Sequence, residues 1–201
     1  METFKYDDVE LEYLKKKDKK LALLIEQVGM IERKVTPDLF TALISSVVSQ
    51  QISTKAAATV WSRINQRFGA ITPQVIANAT VEEIQQCGLS TRKANYIKGI
   101  GDAVINGKLQ LADFPKLTDQ EVIEQLSSLN GIGVWTAEML LIFSLQRSDI
   151  VSWGDLGIRR GIMRLYGLED LTKEQFNKYK KRYSPYGSVA SLYIWELGNN
   201  K

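Results

Sequence analysis

Two short stretches of the chain concentrate residues whose types and spacing could do chemistry. The first is Leu126-Ser127-Ser128-Leu129-Asn130-Gly131-Ile132-Gly133-Val134-Trp135-Thr136-Ala137. An apolar helix ends there, a turn with two glycines follows, and a second apolar helix begins. Glycines one residue apart let the main chain turn sharply and approach another molecule with no side chain between. The helix that follows would aim its unpaired N–H groups outward, a ready site for a phosphate. The plain alternative is a helix–helix connection whose glycines serve packing alone. The second stretch is Ile150-Val151-Ser152-Trp153-Gly154-Asp155-Leu156-Gly157-Ile158-Arg159-Arg160. Here a loop delivers Asp155 to the first turn of a basic helix, a place where aspartate commonly serves as an N-cap.

What the composition lacks narrows the chemistry further. There is no histidine among the 201 residues, which eliminates serine–histidine and cysteine–histidine nucleophilic systems and the common zinc sites. The single cysteine, Cys87, excludes a disulfide framework and a four-thiolate iron–sulfur cluster. An enzyme of this composition must work through carboxylate, lysine, tyrosine, hydroxyl or main-chain groups. The formal charge is only +3, but residues 155–182 hold eight Lys/Arg against four Asp/Glu. That local excess is the distribution expected of a surface that meets polyanions. No run of about 18 apolar residues suggests a membrane span. The charged start, Met1 to Lys20, lacks the apolar core of a signal peptide, so a cytoplasmic chain is expected.

The elements that must position these residues read as helices. Leu39, Leu43, Ile44, Val47 and Val48 recur at three and four and form one helix face. Further helices are predicted over Thr54–Phe68, Ser90–Asn106, Trp135–Leu145, Leu156–Tyr166, Lys173–Arg182 and Val189–Leu197. Thr80 with Glu83, and Thr118 with Glu121, stand in capping-box register and open two shorter ones, the second running to Leu126. Trp135–Leu145 is apolar almost all round, the pattern of a helix buried through the middle of a fold. Only Lys108–Phe114 alternates in a way that hints at a strand. The fold class is all-α, and no obvious linker divides the chain.

Taken in order, the motifs resemble the helix-hairpin-helix superfamily of DNA base-excision glycosylases, in its 3-methyladenine-DNA glycosylase II branch. Besides the Leu-x-Gly-x-Gly hairpin and the Asp155 loop, "LISSVVSQQIS" (Leu43 to Ser53) is similar to that branch's early helix and Gln-Gln-Ile-Ser turn. "GLSTRKANYIKG" (Gly88 to Gly99) resembles its Gly-Leu-x-x-x-Lys-Ala segment, and "YSPYGSVASLYIW" (Tyr183 to Trp195) its closing helix. The resemblance implies two helical lobes with a cleft: residues 32–147 as one, and residues 1–31 plus 148–201 as the other, carrying the catalytic aspartate. It also implies a monofunctional glycosylase, active as a monomer on double-stranded DNA with a damaged base and needing no cofactor for catalysis. Alkylated purines such as 3-methyladenine and 7-methylguanine are the implied lesions. Alternatives are a glycosylase for oxidised guanine or another lesion, and a DNA-binding protein without catalysis.

Residue by residue, the resemblance assigns roles. Asp155 is the expected catalytic carboxylate, facing the deoxyribose as it gains positive charge. Trp135 stands where strand-nicking relatives carry a Schiff-base lysine, and its indole would stack on the flipped base. Trp195 matches a second pocket tryptophan near the aspartate, and Met139 replaces a tyrosine of the best-known members. Gln51 aligns with the residue that wedges into the duplex, with Gln50 and Ser53 as neighbours at the DNA surface. Gly131 and Gly133 would give N–H groups to a phosphate. The carbonyls of Ser127, Leu129 and Ile132 would hold a structural sodium or potassium ion. Arg159 and Arg160 cannot both face inward, so one should meet solvent or DNA; with Arg164 they otherwise form a solvated face or salt bridges. Lys178, Lys180, Lys181 and Arg182 read as plain surface, and Tyr183, Pro185 and Tyr186 as pocket rim or packing.

Overall fold

The computed structural model describes residues 2–199. Among them the regular structure is helical apart from one isolated antiparallel bridge, Thr3 with Lys34. The chain divides into two compact units, Thr36–Leu140 and the pair of segments Met1–Val35 and Leu141–Lys201. The expected lobe of 32–147 is therefore trimmed at both ends. Residues 32–35 pair with the N-terminal segment, Phe4 N–H donating to Arg33 O at 2.8 Å and Val35 N–H to Glu2 O at 3.0 Å. At the other end, Ser188 Oγ donates to Arg147 O at 2.6 Å and ties that residue to the closing helix.

The Thr36–Leu140 unit is built on α3 (Leu39–Ser49), preceded in the other unit by α1 (Asp8–Lys17) and α2 (Lys19–Val28); Leu43, Ile44, Val47 and Val48 of α3 are almost fully buried. Asp38 caps it through Thr41 N–H at 2.7 Å. After it come α4 (Thr54–Phe68), α5 (Pro73–Asn78), α6 (Val81–Gln85) and α7 (Thr91–Ile105). The last of these packs on α3, α5 and α6. Lys108–Phe114 is not a strand. A 3₁₀ helix occupies Leu111–Lys116, turning so that Leu109 and Phe114 are both buried while Pro115, which has no N–H to give a ladder, sits inside it. Helix α8 (Asp119–Ser127) opens on the Thr118/Glu121 capping box, and α9 (Val134–Phe143) follows the glycine turn. α9 is less enclosed than its composition predicts, because Val134 and Trp135 in its first turn are exposed.

The other unit contains α1 (Asp8–Lys17), α2 (Lys19–Val28), α10 (Leu156–Tyr166), α11 (Lys173–Tyr183) and α12 (Gly187–Asn199). Its central helix is α12, with Val189, Ala190, Leu192, Tyr193 and Ile194 essentially without solvent contact. Helix α10 lies against α12 along small residues. A Cβ added at Gly161 would collide with Ile194 O, and one at Gly198 with Gly157 O. Side chains at these places would force the axes apart, so glycine spacing on α10 sets how closely its N-terminal end meets α12.

A buried carboxylate anchors the same unit. Asp18 is 4% exposed and caps α2 by accepting from Lys20 N–H and Leu21 N–H, both at 3.0 Å. Its Oδ2 also accepts from Tyr166 Oη and Arg182 Nη1, both at 2.6 Å. Burial pushes its pKa up, but the Tyr166, Leu21 and Arg182 donors outweigh burial and hold it below the ordinary carboxylate value. Burial, with Tyr183 alongside, pushes the Tyr166 phenol up, so it remains a donor. A lowered folded-state pKa contributes stability that is present above the unfolded value, about 4, and is lost as pH falls through the folded one. Asp18→Asn should cost about 2 kcal/mol at neutral pH and flatten the loss of stability below about pH 4. Thermal melts across pH 2–7 read this, and an unchanged acid limb would contradict it.

Candidate active site

Asp155 terminates the loop that precedes α10 and is 8% exposed. Its Oδ1 accepts from Ile158 N–H at 2.9 Å, the N-cap bond, and from Trp195 Nε1–H at 3.0 Å. The carboxylate thus sits at the positive end of a helix and takes an indole N–H as well. Trp195 is itself held by Phe143, whose ring stacks on it at 5.7 Å between centroids and 29° between planes. The close α10–α12 approach brings these groups together across 40 residues of sequence. Trp195 lies within hydrogen-bond distance of the aspartate. It orients the carboxylate, which the sequence did not suggest.

Beyond the aspartate, α10 splits its arginines. Arg159 is half-buried, its guanidinium 5.1 Å from the centre of the Trp153 ring, while Arg160 is exposed. Arg164 Nη1 donates to Leu197 O. Lys178 makes an exposed ion pair with Glu174 at 3.1 Å, consistent with plain surface, whereas Arg182 is committed to Asp18. Tyr183 is fully buried and Tyr186 packs edge-on against Tyr13 at 5.2 Å, so both serve packing.

The Thr36–Leu140 unit carries the remaining candidates. Trp135 is 47% exposed in the first turn of α9, and Met139 follows one turn on, half-buried. A large indole partly exposed beside a glycine turn is the informative kind of surface residue. Gly131 has φ +88°, and the Tyr96 ring lies where a Cβ would go, with Cγ at 2.7 Å. Gly131 is therefore required twice, by the left-handed backbone and by the aromatic packed on it. Gly133 is open on its side-chain face, and its carbonyl accepts from Ala137 N–H at 3.0 Å, starting α9. Of the three proposed cation ligands, Leu129 O also accepts from Ile132 N–H at 3.1 Å, which closes the turn. Ser127 uses its hydroxyl locally, on Ile123 O at 2.6 Å.

The Gln-Gln-Ile-Ser turn links α3 to α4. Gln51 adopts φ +56°, a left-handed conformation that costs a non-glycine residue roughly 1–2 kcal/mol. Gln51 and Ile52 are exposed at the tip. Ser53 Oγ accepts from Ala56 N–H at 3.2 Å and caps α4, so a helix cap accounts for its presence at this surface. The amide of Gln50 reaches the hairpin, donating to Gly131 O at 2.8 Å, so the two candidate DNA-contacting turns of this unit are bonded together. A residue whose role the sequence did not assign is Lys93 on α7, the lysine of the Gly-Leu-x-x-x-Lys-Ala segment. Its Nζ donates to Val48 O at 2.9 Å and Gln50 O at 2.5 Å, at the C-terminal end of α3. Among the described residues no group of three or more His, Cys, Asp or Glu could hold a metal ion.

Comparison with known proteins decides the family. Residues 44–185 match the model described as the HhH-GPD superfamily base excision DNA repair protein. The chain belongs to that superfamily. Within the HhH-GPD proteins, it is 36% identical over 162 residues to DNA-3-methyladenine glycosylase 1 of Schizosaccharomyces pombe, covering 78% of this chain and 71% of that protein. A crystal structure of DNA-3-methyladenine glycosidase from Bacillus halodurans superimposes with TM-score 0.89 at 35% identity, over 100% of this chain and 94% of that one. The S. pombe 3-methyladenine DNA glycosylase Mag1, solved in complex with abasic DNA, gives TM-score 0.79 at 32% identity, over 93% and 95%. The all-α helix-hairpin-helix reading stands with these neighbours.

Proposed function

We propose that this protein is a monofunctional DNA glycosylase that hydrolyses the N-glycosidic bond of alkylated purines in double-stranded DNA, acting in base excision repair. The observation that carries the reading is the buried Asp155 carboxylate, fixed by a helix start and an indole N–H in a chain without histidine. Breaking the bond between C1′ and a cationic alkylpurine sends the bonding pair to the base, which leaves neutral, and puts positive charge on the sugar. A pre-oriented carboxylate stabilises that charge with no reorganisation at the moment of reaction. Water then adds to C1′ and loses its proton, to Asp155 or to solvent, leaving an abasic site. Because alkylation makes the base a good leaving group, no strong general acid is needed.

The Thr36–Leu140 unit supplies DNA-binding features. The Gly131–Gly133 turn and the start of α9 offer main-chain N–H groups to a phosphate. Three neutral carbonyl oxygens, from Ser127, Leu129 and Ile132, suit a hard monovalent cation in a structural role, and no chemical step runs through it. The exposed Trp135 indole provides a stacking face, worth about 1–3 kcal/mol per base. The indole nitrogen has its lone pair in the ring system, so Trp135 cannot form the imine that strand-nicking requires. Gln51, at the tip of its turn, fills the space of an extruded nucleotide.

The test is incubation of purified protein with dimethyl sulfate-treated duplex DNA, with chromatography of the freed bases and borohydride present in a parallel reaction. The expected result is release of 3-methyladenine and 7-methylguanine with no covalent protein–DNA adduct. Absence of free base, or a strong borohydride-dependent crosslink, would contradict the reading.

A further inference from the structure

We propose that Lys93 is a positioning residue for base extrusion: its ammonium fixes the Gln50–Gln51 turn in the shape that delivers Gln51 into the duplex. The proposal rests on the glycosylase reading above and concerns a residue that touches neither the lesion nor the reacting bond.

Several observations on one unit converge on Lys93. It lies at the third position of α7, where Ser90 Oγ caps the helix by accepting from the Lys93 main-chain N–H at 3.3 Å. A cation in the first turn of its own helix is poorly placed against the macrodipole, and Arg92 beside it adds like charge. Burial, with Arg92 adding to it, lowers the ammonium's pKa. Both effects oppose a lysine here on local grounds, so what retains it lies elsewhere. That is the C-terminal end of α3, where the last carbonyls of a helix have no intrahelical partners and carry its negative pole. Lys93 Nζ answers two of them, Val48 O and Gln50 O.

The next residue along is the one that needs holding. Gln51 sits in the left-handed region immediately after the clamped Gln50 carbonyl, and no glycine relieves it. Downstream the turn is pinned by the Ser53 cap on α4, and sideways by the Gln50 amide on Gly131 O. Lys93 closes the upstream side. With all three in place, Gln51 projects from a turn that cannot relax, and its position is fixed relative to the hairpin. Pushing a side chain into a base stack requires a rigid support, since a yielding turn would bend back before the bases part. Loss of the ammonium should therefore weaken extrusion and leave DNA docking and bond cleavage as they are.

The experiment measures single-turnover release of one 7-methylguanine placed opposite cytosine or opposite an abasic-site analogue, which removes its pairing partner and lowers the cost of extrusion. For Lys93→Met the expected loss is about tenfold or more on the paired lesion and less than about threefold on the unpaired one. Lys93→Arg, which keeps charge and two donors, should stay within about threefold of wild type on both. If the methionine variant does not fold, Lys93→Gln, too short to reach both carbonyls, is expected to give the same pattern. Equal losses on the two substrates, or no loss on either, would overturn the role of Lys93 while leaving the glycosylase reading intact. Failure of the wild type to release base from either duplex would instead remove that reading and the proposal with it.

Discussion

Asp155→Asn should lower release of methylated purines by at least about 100-fold, while melting temperature and DNA affinity stay near wild type. The substitution is chosen because asparagine is isosteric and an equally good N-cap. Its Oδ1 can still accept from Ile158 N–H and Trp195 Nε1–H, so the geometry around α10 persists. The negative charge disappears, and Oδ2 is replaced by an NH2 group that donates instead of accepting. Asp155→Ala makes a useful contrast, since it loses the cap as well and strands a buried indole N–H, costing roughly 2 kcal/mol of stability. If the asparagine variant keeps wild-type activity, the charge is not what the site uses. If it unfolds, the carboxylate is structural.

The largest effect on stability should come from Gly161→Val. A Cβ there runs into Ile194 O, a main-chain atom in the middle of the central helix α12 that cannot swing aside. Overpacking of this kind typically costs 1–3 kcal/mol where side chains can yield; against backbone the cost should reach about 3 kcal/mol or more. For a chain of this size that lowers the melting temperature by about 6–12 °C. The same change pries α10 from α12 and lengthens the Asp155–Trp195 contact, so residual folded protein should also be slower at base release. A variant that melts with the wild type would mean that the two helices do not approach as closely as Gly161 and Gly198 indicate.

The particular elements show how much the chain announced in advance. Helix α10 runs from Leu156 to Tyr166 as read from its spacing, and the Thr80 and Thr118 capping boxes open α6 and α8 as expected. Those signals are local, and local hydrogen bonding suffices to set them. The α1 helix went unread because it buries only Leu11 and Leu14, too sparse an apolar stripe to stand out, whereas α2 buries Leu21, Leu24 and Ile25 at a helical spacing that was legible. The Asp7/Glu10 capping box that starts α1 was there to be used. The Lys108–Phe114 alternation misled because Leu109 and Leu111 stand two apart as in a strand, whereas a 3₁₀ helix from Leu111 carries the chain on to the buried Phe114.

Among the candidate residues, Asp155, Trp135 and the glycine turn were legible through ordered motifs rather than through any single one. The bond from Trp195 to Asp155 joins residues 40 apart and depends on glycine packing between α10 and α12, which no local pattern encodes. Lys93 was hidden for a related reason. Its meaning lies in the carbonyls at the end of α3, on a helix more than forty residues earlier. The trace it leaves in the sequence is the lysine of the Gly-Leu-x-x-x-Lys-Ala segment, placed in the first turn of a helix where the dipole disfavours one.

The account rests on Asp155 meeting positive charge on the sugar, and binding of a charged sugar mimic measures that directly. Duplexes carrying either a cationic pyrrolidine or a neutral tetrahydrofuran at the lesion position differ in the charge at that ring. Wild-type protein should bind the pyrrolidine duplex about 100-fold or more tighter, as expected of a transition-state mimic, and Asp155→Asn should lose most of that preference. Equal affinity of the wild type for both duplexes, or a preference that survives in the asparagine variant, would contradict the claim.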